Sequence, residues 1–373
     1  MRISLVTDAW LPQINGVTTT LTRCRDRLVE GGHRVDVISP DLFRNVPCPR
    51  YPSIRLAVWP GRRVGRLLDG HRPQAIHIAT EGPLGIAARL YCGRRRLPFT
   101  TAFHTRFPEY LRVYAGIPPR WSYRGLHWFH GAAERTLVPT ETLKSELEAH
   151  GFGRLVRWVR GVDTDLFKPR SGDFYALERP IFLYAGRVAA EKNIAAFLEL
   201  DVPGSKVVVG DGPARRRLEA AHPDVHWAGM RTGEDLARHY AGADVFVFPS
   251  RTDTFGVVML EAFASGLPVA AYPVTGPIDV VEHGVTGILD EDLGAACRSA
   301  LELDPADCRA HALTLSWDRC AEMLLDNLAV IVGDRPVRRS QRNPIRTEAG
   351  ARAAPGGRWR EPDPANPADR RRS

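Results

Sequence analysis

The chain has no run of about eighteen uncharged apolar residues, so no segment is expected to span a membrane. Its start, Met1-Arg-Ile-Ser-Leu-Val-Thr-Asp8, has an apolar stretch too short for a secretory signal and meets an acid at once. Cysteine is scarce. The six residues at 24, 48, 92, 297, 308 and 320 form neither a CxxC pair nor a Cys/His cluster. That argues against a zinc site and a disulfide scaffold, and scattered thiols fit a reducing cytosol. No metal and no cofactor are expected. The body also lacks an excess of one charge. The net charge is +8, but +6 of it lies in Asp334–Ser373, which carries 11 Arg against 5 acids. Only +2 is left for the rest, so the high isoelectric point does not read as a nucleic-acid footprint.

What is present is ordinary globular composition, 44% hydrophobic and 25% charged over 373 residues. The length exceeds what one core usually organises, so two domains are expected. Ile3–Thr7 reads as a strand, followed by a turn-rich loop (Pro12, Asn15, Gly16), a helix ending at Gly31-Gly32, and a strand at Arg34–Ser39. Strand–loop–helix–strand is the opening of a parallel sheet. Ala75–Ile78 and Phe99–Phe103 continue it, with a helix at Leu84–Tyr91 between them. The pattern then restarts. Strands are expected at 180–185, 206–210, 225–227, 244–249 and 268–272, with helices including Thr232–Tyr240 and Gly256–Ala264. The expected organisation is α/β: residues 1–165 as a first Rossmann-like domain and 170–315 as a second, with a linker rich in Asp, Gly and Pro near 161–180. A helix over Ser316–Leu328 rejoins the first domain, within a crossover segment 316–330, and residues 334–373 form a disordered tail. Ligands of open parallel sheets bind outside the carboxyl ends of the strands, here between the domains.

Two segments carry anion-binding chemistry. In Gly186-Arg187-Val-Ala-Ala-Glu191-Lys192-Asn193, two cations five apart follow a strand. Arg187 can fork onto a phosphate and Lys192 adds a point charge, while the alternative is a solvated turn in which Glu191 neutralises Lys192. In Asp253-Thr-Phe255-Gly256-Val257-Val-Met-Leu-Glu261, a loop runs into an apolar helix. Free N–H groups from Phe255 to Val258 would seat a phosphate. Glu261, an acid on an apolar helix, needs a partner. A ribose diol suits it, and a core Arg is the alternative. Asp253 either contacts a second part of the ligand or caps the helix. In the first half, His104 follows a strand at its cleft-facing end. It hydrogen-bonds a reacting group, titrates near neutrality, or merely satisfies backbone carbonyls.

The Asp253-x7-Glu261 spacing, followed by Ala-x-Ala-Ser-Gly-x-Pro-Val, resembles the acidic motif of the family 4 retaining glycosyltransferases. Further resemblances run along most of the chain: Gly186-Arg187 with Glu191-Lys192-Asn193, Val209-Gly-Asp-Gly-Pro213, Arg160-Gly-Val-Asp163-Thr-Asp-Leu-Phe167 as a hinge, and Pro12-Gln-Ile-Asn15-Gly16-Val17 as an N-terminal loop. The resemblance implies the GT-B fold, two Rossmann-like domains facing a cleft. It implies that Arg187 and Lys192 hold the donor diphosphate, Glu261 the ribose, and Asp253 and His104 the transferred sugar. Asn15, Gly16, Gly186, Phe255, Gly256 and Val257 complete the donor site. Asp253 stands where the family usually has Glu, one methylene longer. The acidic pair Asp163-Thr-Asp165 matches a metal motif in letters only and is read as hinge.

The acceptor side is thinner. Eight aromatics lie between Phe103 and Phe129, interleaved with Arg106, Arg112, Arg120 and Arg124, and Leu84–Leu97 turns from apolar to basic. The pattern suits a face resting on anionic lipid, or a helical core with an Arg fringe. The expected activity is transfer of a hexose, mannose from GDP-mannose first, to a lipid acceptor or else a glycan, with an α-linkage. A UDP-glucose- or UDP-glucuronate-dependent diacylglycerol glycosyltransferase is the alternative. From other classes come a nucleotide-sugar epimerase and a non-catalytic binding module. The expected location is cytoplasmic, peripheral at the inner membrane face.

Overall fold

The computed structural model describes residues 1–13, 15–48, 51–104 and 119–332. The basic tail lies outside them, as do Arg106, Phe107, Glu109, Tyr110, Arg112 and Tyr114 of the aromatic segment.

The first half holds a parallel sheet of β1 (Arg2–Val6), β2 (Arg34–Ile38), β5 (Ala75–Ile78), β6 (Thr100–Ala102), β7 (Arg135–Val138) and β8 (Leu155–Arg157), in the order β2-β1-β5-β6-β7-β8. An antiparallel hairpin, β3 (Asn45–Cys48) and β4 (Tyr51–Ala57), sits beside it. Helices α1 (Gly16–Glu30), α2 (Gly61–His71), α3 (Pro83–Arg95), α4 (Pro119–His130) and α5 (Glu141–Ala149) connect these strands. The second half repeats the plan with β9 (Ile181–Ala185), β10 (Ser205–Val209), β11 (His226–Gly229), β12 (Val245–Phe248), β13 (Val269–Ala271) and β14 (Gly287–Leu289), ordered β11-β10-β9-β12-β13-β14. Its helices are α6 (Ile194–Leu198), α7 (Arg215–Ala221), α8 (Gly233–Ala241), α9 (Val257–Ala264), α10 (Pro277–Val280), α11 (Leu293–Ala300) and α12 (Pro305–Leu313).

Helices cover both faces of each sheet, which is why the central strands read as unbroken apolar runs. Alternate side chains serve opposite cores: Ile181, Leu183 and Ala185 join one cluster and Phe182 and Tyr184 the other. In both sheets the strand order reverses beside the first strand, between β9 and β12 and between β1 and β5. These are the switch points at which open α/β sheets leave a crevice.

The chain crosses between the halves twice. Gly161 leads out of the first half, and Ser316 leads back into α13 (Trp317–Asn327). Ser316 caps that helix by accepting from Arg319 N at 3.1 Å. Trp317, Cys320, Ala321, Leu324 and Leu328 then pack with Ile3, Leu5, Leu21, Cys24 and Leu28. The two crossings touch. Val162 N donates to Leu315 O at 3.1 Å, and a Cβ on Gly161 would lie 2.4 Å from Ser316 C and Trp317 N. Leu324→Ala would open a cavity in this shared core. Chemical denaturation is expected to register a loss of about 2–5 kcal/mol.

Candidate active site

The β9/β12 switch point brings the two anion-binding segments together. Residues 186–193 follow β9 and residues 249–256 follow β12. Asn193 Nδ2 donates to Pro249 O at 3.1 Å, and Thr252 Oγ1 to Glu191 O at 3.0 Å, tying the loops into one platform. Tyr184 Oη donates to Arg187 O at 2.7 Å and fixes the turn that carries Arg187. Lys192 Nζ forms a salt bridge with Asp253 Oδ1. Asp253 Oδ2 is buried with no hydrogen-bond partner among the described residues, so one carboxylate oxygen is left for a ligand.

Helix α9 begins in this crevice. Its N-cap, Gly256, is left-handed at φ 89°, where a Cβ would meet Met259 Cε at 2.8 Å and Phe248 Cζ at 2.9 Å. No side chain caps the helix, so Asp253 does not take the capping role open to it. The first half brings a second helix N-terminus to the same place. A Cβ on Gly16, the first residue of α1, would lie 3.8 Å from Val257 Cγ2, the first residue of α9. Neither first turn holds an acid. Two positive helix ends and a lysine therefore converge from the two halves. Asn15 caps α1, its Oδ1 accepting from Thr18 N at 3.0 Å.

Glu261 lies one turn into α9. It accepts from Tyr240 Oη, on α8, at 3.0 Å, so its fixed partner is a phenol rather than a core Arg. Burial raises its pKa to about 7, opposed by the Tyr240 hydrogen bond and the charge of Arg23. Arg23 itself pairs with Asp163 at 3.2 Å, which leaves Asp163 engaged at the hinge.

His104 stands at the end of β6 and belongs to this crevice. Its carbonyl accepts from Thr254 Oγ1 at 2.8 Å, a bond between the two halves. The halves also meet where Thr142 N donates to Asp279 Oδ1 at 3.0 Å and Thr275 Oγ1 to Glu146 Oε1 at 2.5 Å. The ring packs edge-on against Trp158, and its Nε2 is buried without a partner among the described residues. Burial, then the Arg160 charge, holds His104 well below the usual histidine pKa. Of the roles open to it, titration near neutrality is therefore removed, and the ring stays neutral.

Three groups emerge that the motif reading passed over. Tyr240 lies 21 residues before the Glu261 it serves. Arg160, read only as hinge, is 3% exposed and contacts His104. At the β1/β5 switch point, Glu81 Oε1 pairs with His130 Nε2 at 3.2 Å, and Asp8 accepts from Leu84 N at 3.0 Å and Thr80 Oγ1 at 2.9 Å. Burial pushes the Asp8 pKa up to about 6.

Sequence models for two glycosyltransferase groupings match the chain. Glycosyltransferase family 4 covers residues 14–166 and glycosyl transferases group 1 covers 179–303. The GDP-mannose-dependent alpha-mannosyltransferase of Mycobacterium tuberculosis is 33% identical over 317 residues, 78% of this chain and 83% of that protein. The chain belongs to the family 4 glycosyltransferases. A second relative of this glycosyltransferase, the alpha-monoglucosyldiacylglycerol synthase of Streptococcus pneumoniae, is 24% identical over 358 residues, 84% of this chain and 81% of its own. Among solved structures, Anabaena HepE in complex with UDP and glucose matches with a TM-score of 0.65 at 16% identity, covering 87% of this chain and 98% of that one. The fold is GT-B.

Proposed function

We propose that this glycosyltransferase moves mannose from GDP-mannose to a lipid acceptor, with retention at the anomeric carbon. The observation that carries the donor site is the convergence of two helix N-termini, neither with an acid in its first turn, and Lys192 on the β9/β12 switch point. Cleavage of the sugar–phosphate bond builds negative charge on the diphosphate and positive charge on the anomeric carbon. Fixed N–H dipoles, Arg187 and Lys192 stabilise the leaving diphosphate without reorganising. Glu261 accepts from the ribose hydroxyls. The free oxygen of Asp253 and Nε2 of His104 hold the sugar, and Gly16 lets α1 reach the phosphates. The relative named for GDP-mannose, at 33% identity, supports guanine and mannose.

The surface of α3 and α4 supports a lipid acceptor. Trp121 is 57% exposed and Trp128 47%, with Ile86 and Leu90 exposed beside them. Arg89 stacks on Trp128 at 3.6 Å, and Arg120 and Arg124 lie 5.9 and 5.8 Å from the centre of Trp121. Aromatic and apolar groups among guanidinium groups suit the headgroup region of an anionic bilayer. No helix of the described residues is long and apolar enough to cross it. The relative named alpha-monoglucosyldiacylglycerol synthase favours a second reading, glucosyl transfer from UDP-glucose to diacylglycerol.

The deciding assay offers radiolabelled GDP-mannose and UDP-glucose to the protein on vesicles with and without anionic lipid and diacylglycerol. Lipid-extractable label from GDP-mannose alone supports the first reading. Label from UDP-glucose alone replaces it with the second, and label in neither overturns the lipid acceptor.

Glu261 adds a pH signature. Its raised pKa favours the protonated form in the folded protein, so the stability it contributes is full below about pH 4.5 and is lost as pH rises through about 7. Ribose hydroxyls prefer the ionised form. GDP affinity is therefore expected to rise about tenfold from pH 6 to 8, relative to Glu261→Gln. Titration calorimetry of the two proteins cancels the nucleotide's own ionisation. Equal pH slopes would remove Glu261 from the ribose.

A further inference from the structure

Arg160 is a buried cation with no carboxylate partner among the described residues. It follows β8 at the start of the hinge, 3% exposed. Its Nη1 donates to Trp158 O at 2.6 Å and Val159 O at 3.2 Å. The guanidinium lies 4.3 Å from the centre of the Trp158 ring and 6.0 Å from that of Phe255, in the loop before α9. Trp158 is itself fixed, its Nε1 donating to Cys320 O at 2.8 Å. No Asp or Glu pairs with Arg160 among the described residues. The group is thus held by carbonyls, aromatic faces and the Cys320 thiol, with Nη2 also reaching His104.

That nitrogen, Nη2, lies 3.4 Å from His104 Nδ1. A guanidinium has donors only. Were His104 to carry its proton on Nδ1, two N–H groups would face one another. The contact therefore selects the tautomer in which Nδ1 offers its lone pair and Nε2 carries the hydrogen. Nε2 is the buried atom without a partner among the described residues, on a residue whose own carbonyl accepts from Thr254 across the crevice.

We propose that Arg160 is a positioning residue for transfer: by donating to His104 Nδ1 it fixes the ring with Nε2–H toward the donor sugar, so that His104 acts as a hydrogen-bond donor to a sugar oxygen and not as a base. The proposal rests on the donor-site reading for its functional meaning, while the Arg160–His104 contact stands without it. It gives Arg160 a task that a hinge alone would not require. It also gives the proposed sugar pocket one donor, at His104, and one acceptor, at Asp253.

The test uses the full-length protein with ¹⁵N-histidine, whose His104 signals are identified by their loss in His104→Gln. Long-range ¹H–¹⁵N spectra of the free wild-type protein are expected to show a protonated Nε2 and a bare Nδ1; the reverse overturns the proposal with no variant needed. Arg160→Met is expected to lower kcat by about ten- to a hundredfold, the range found when a partner orienting an imidazole is removed. GDP affinity is expected to stay within about twofold, and His104 to populate both tautomers. Arg160→Lys keeps a donor, and should retain the Nε2–H tautomer and recover part of kcat. Unchanged His104 signals in Arg160→Met, or loss of GDP binding in step with kcat, would assign Arg160 a structural role only. Should Arg160→Met not fold, the wild-type spectrum and the lysine variant decide. Failure of the wild-type protein to bind GDP would sink the donor-site reading, and the tautomer would still answer for Arg160.

Discussion

Lys192→Ala is expected to lower kcat by roughly 10²–10³-fold, the usual cost of removing a preorganised group that meets developing charge. The free site explains the size. Lys192 and Asp253 neutralise each other across the two loops, so donor binding replaces an internal partner with phosphate oxygens at little electrostatic penalty. Charge on those oxygens grows only as the bond breaks, so the loss should fall on kcat more than on KM. Removing the lysine also leaves Asp253 as an unneutralised acid beside the diphosphate. The double variant Lys192→Ala with Asp253→Asn should therefore recover part of the nucleotide affinity lost in the single one. Steady-state kinetics with calorimetry on both variants checks this, and an unchanged kcat in Lys192→Ala would displace the residue from the reaction centre.

Glu261→Ala is expected to weaken GDP binding by roughly a hundredfold, since hydrogen bonds to a charged group contribute about 1.5–3 kcal/mol each. The fold should tolerate the change. Burial already disfavours the charge, having raised its pKa to about 7, so the free protein sheds a group that opposes its own packing at neutral pH. Relief of the buried charge offsets the loss of the Tyr240 hydroxyl's acceptor, so stability little changed, together with lost affinity, is the pattern of a residue retained for a ligand. Loss of both would mark Glu261 as a structural partner of Tyr240.

The second half was legible because its strands are buried on both faces and each one stops at a loop of recognisable chemistry. Ile181–Ala185 and Val245–Phe248 are unbroken apolar runs, and the residues after each form the candidate site. The first half was less open to reading. The hairpin at 45–57 and the three-residue strand Leu155–Arg157, exposed at its end, give weak periodicity. The site's partners were hidden by sequence distance. Asp253 finds Lys192 61 residues away, and His104 finds Arg160 across 56. Such pairs depend on strand order, which local pattern does not state. The choice among the roles of His104 stayed open for the same reason, because its low pKa comes from burial and a cation that only the tertiary fold brings near.

The two chain crossings at Gly161 and Ser316 lie against each other without room for a side chain between them. Two covalent links meeting at one point leave rotation as the easy relative motion and make sliding costly. The contacts of Thr254, Thr142 and Thr275 across the cleft then act at the end of a lever whose fulcrum is that crossing. Parting the halves about that fulcrum would break these three bonds first.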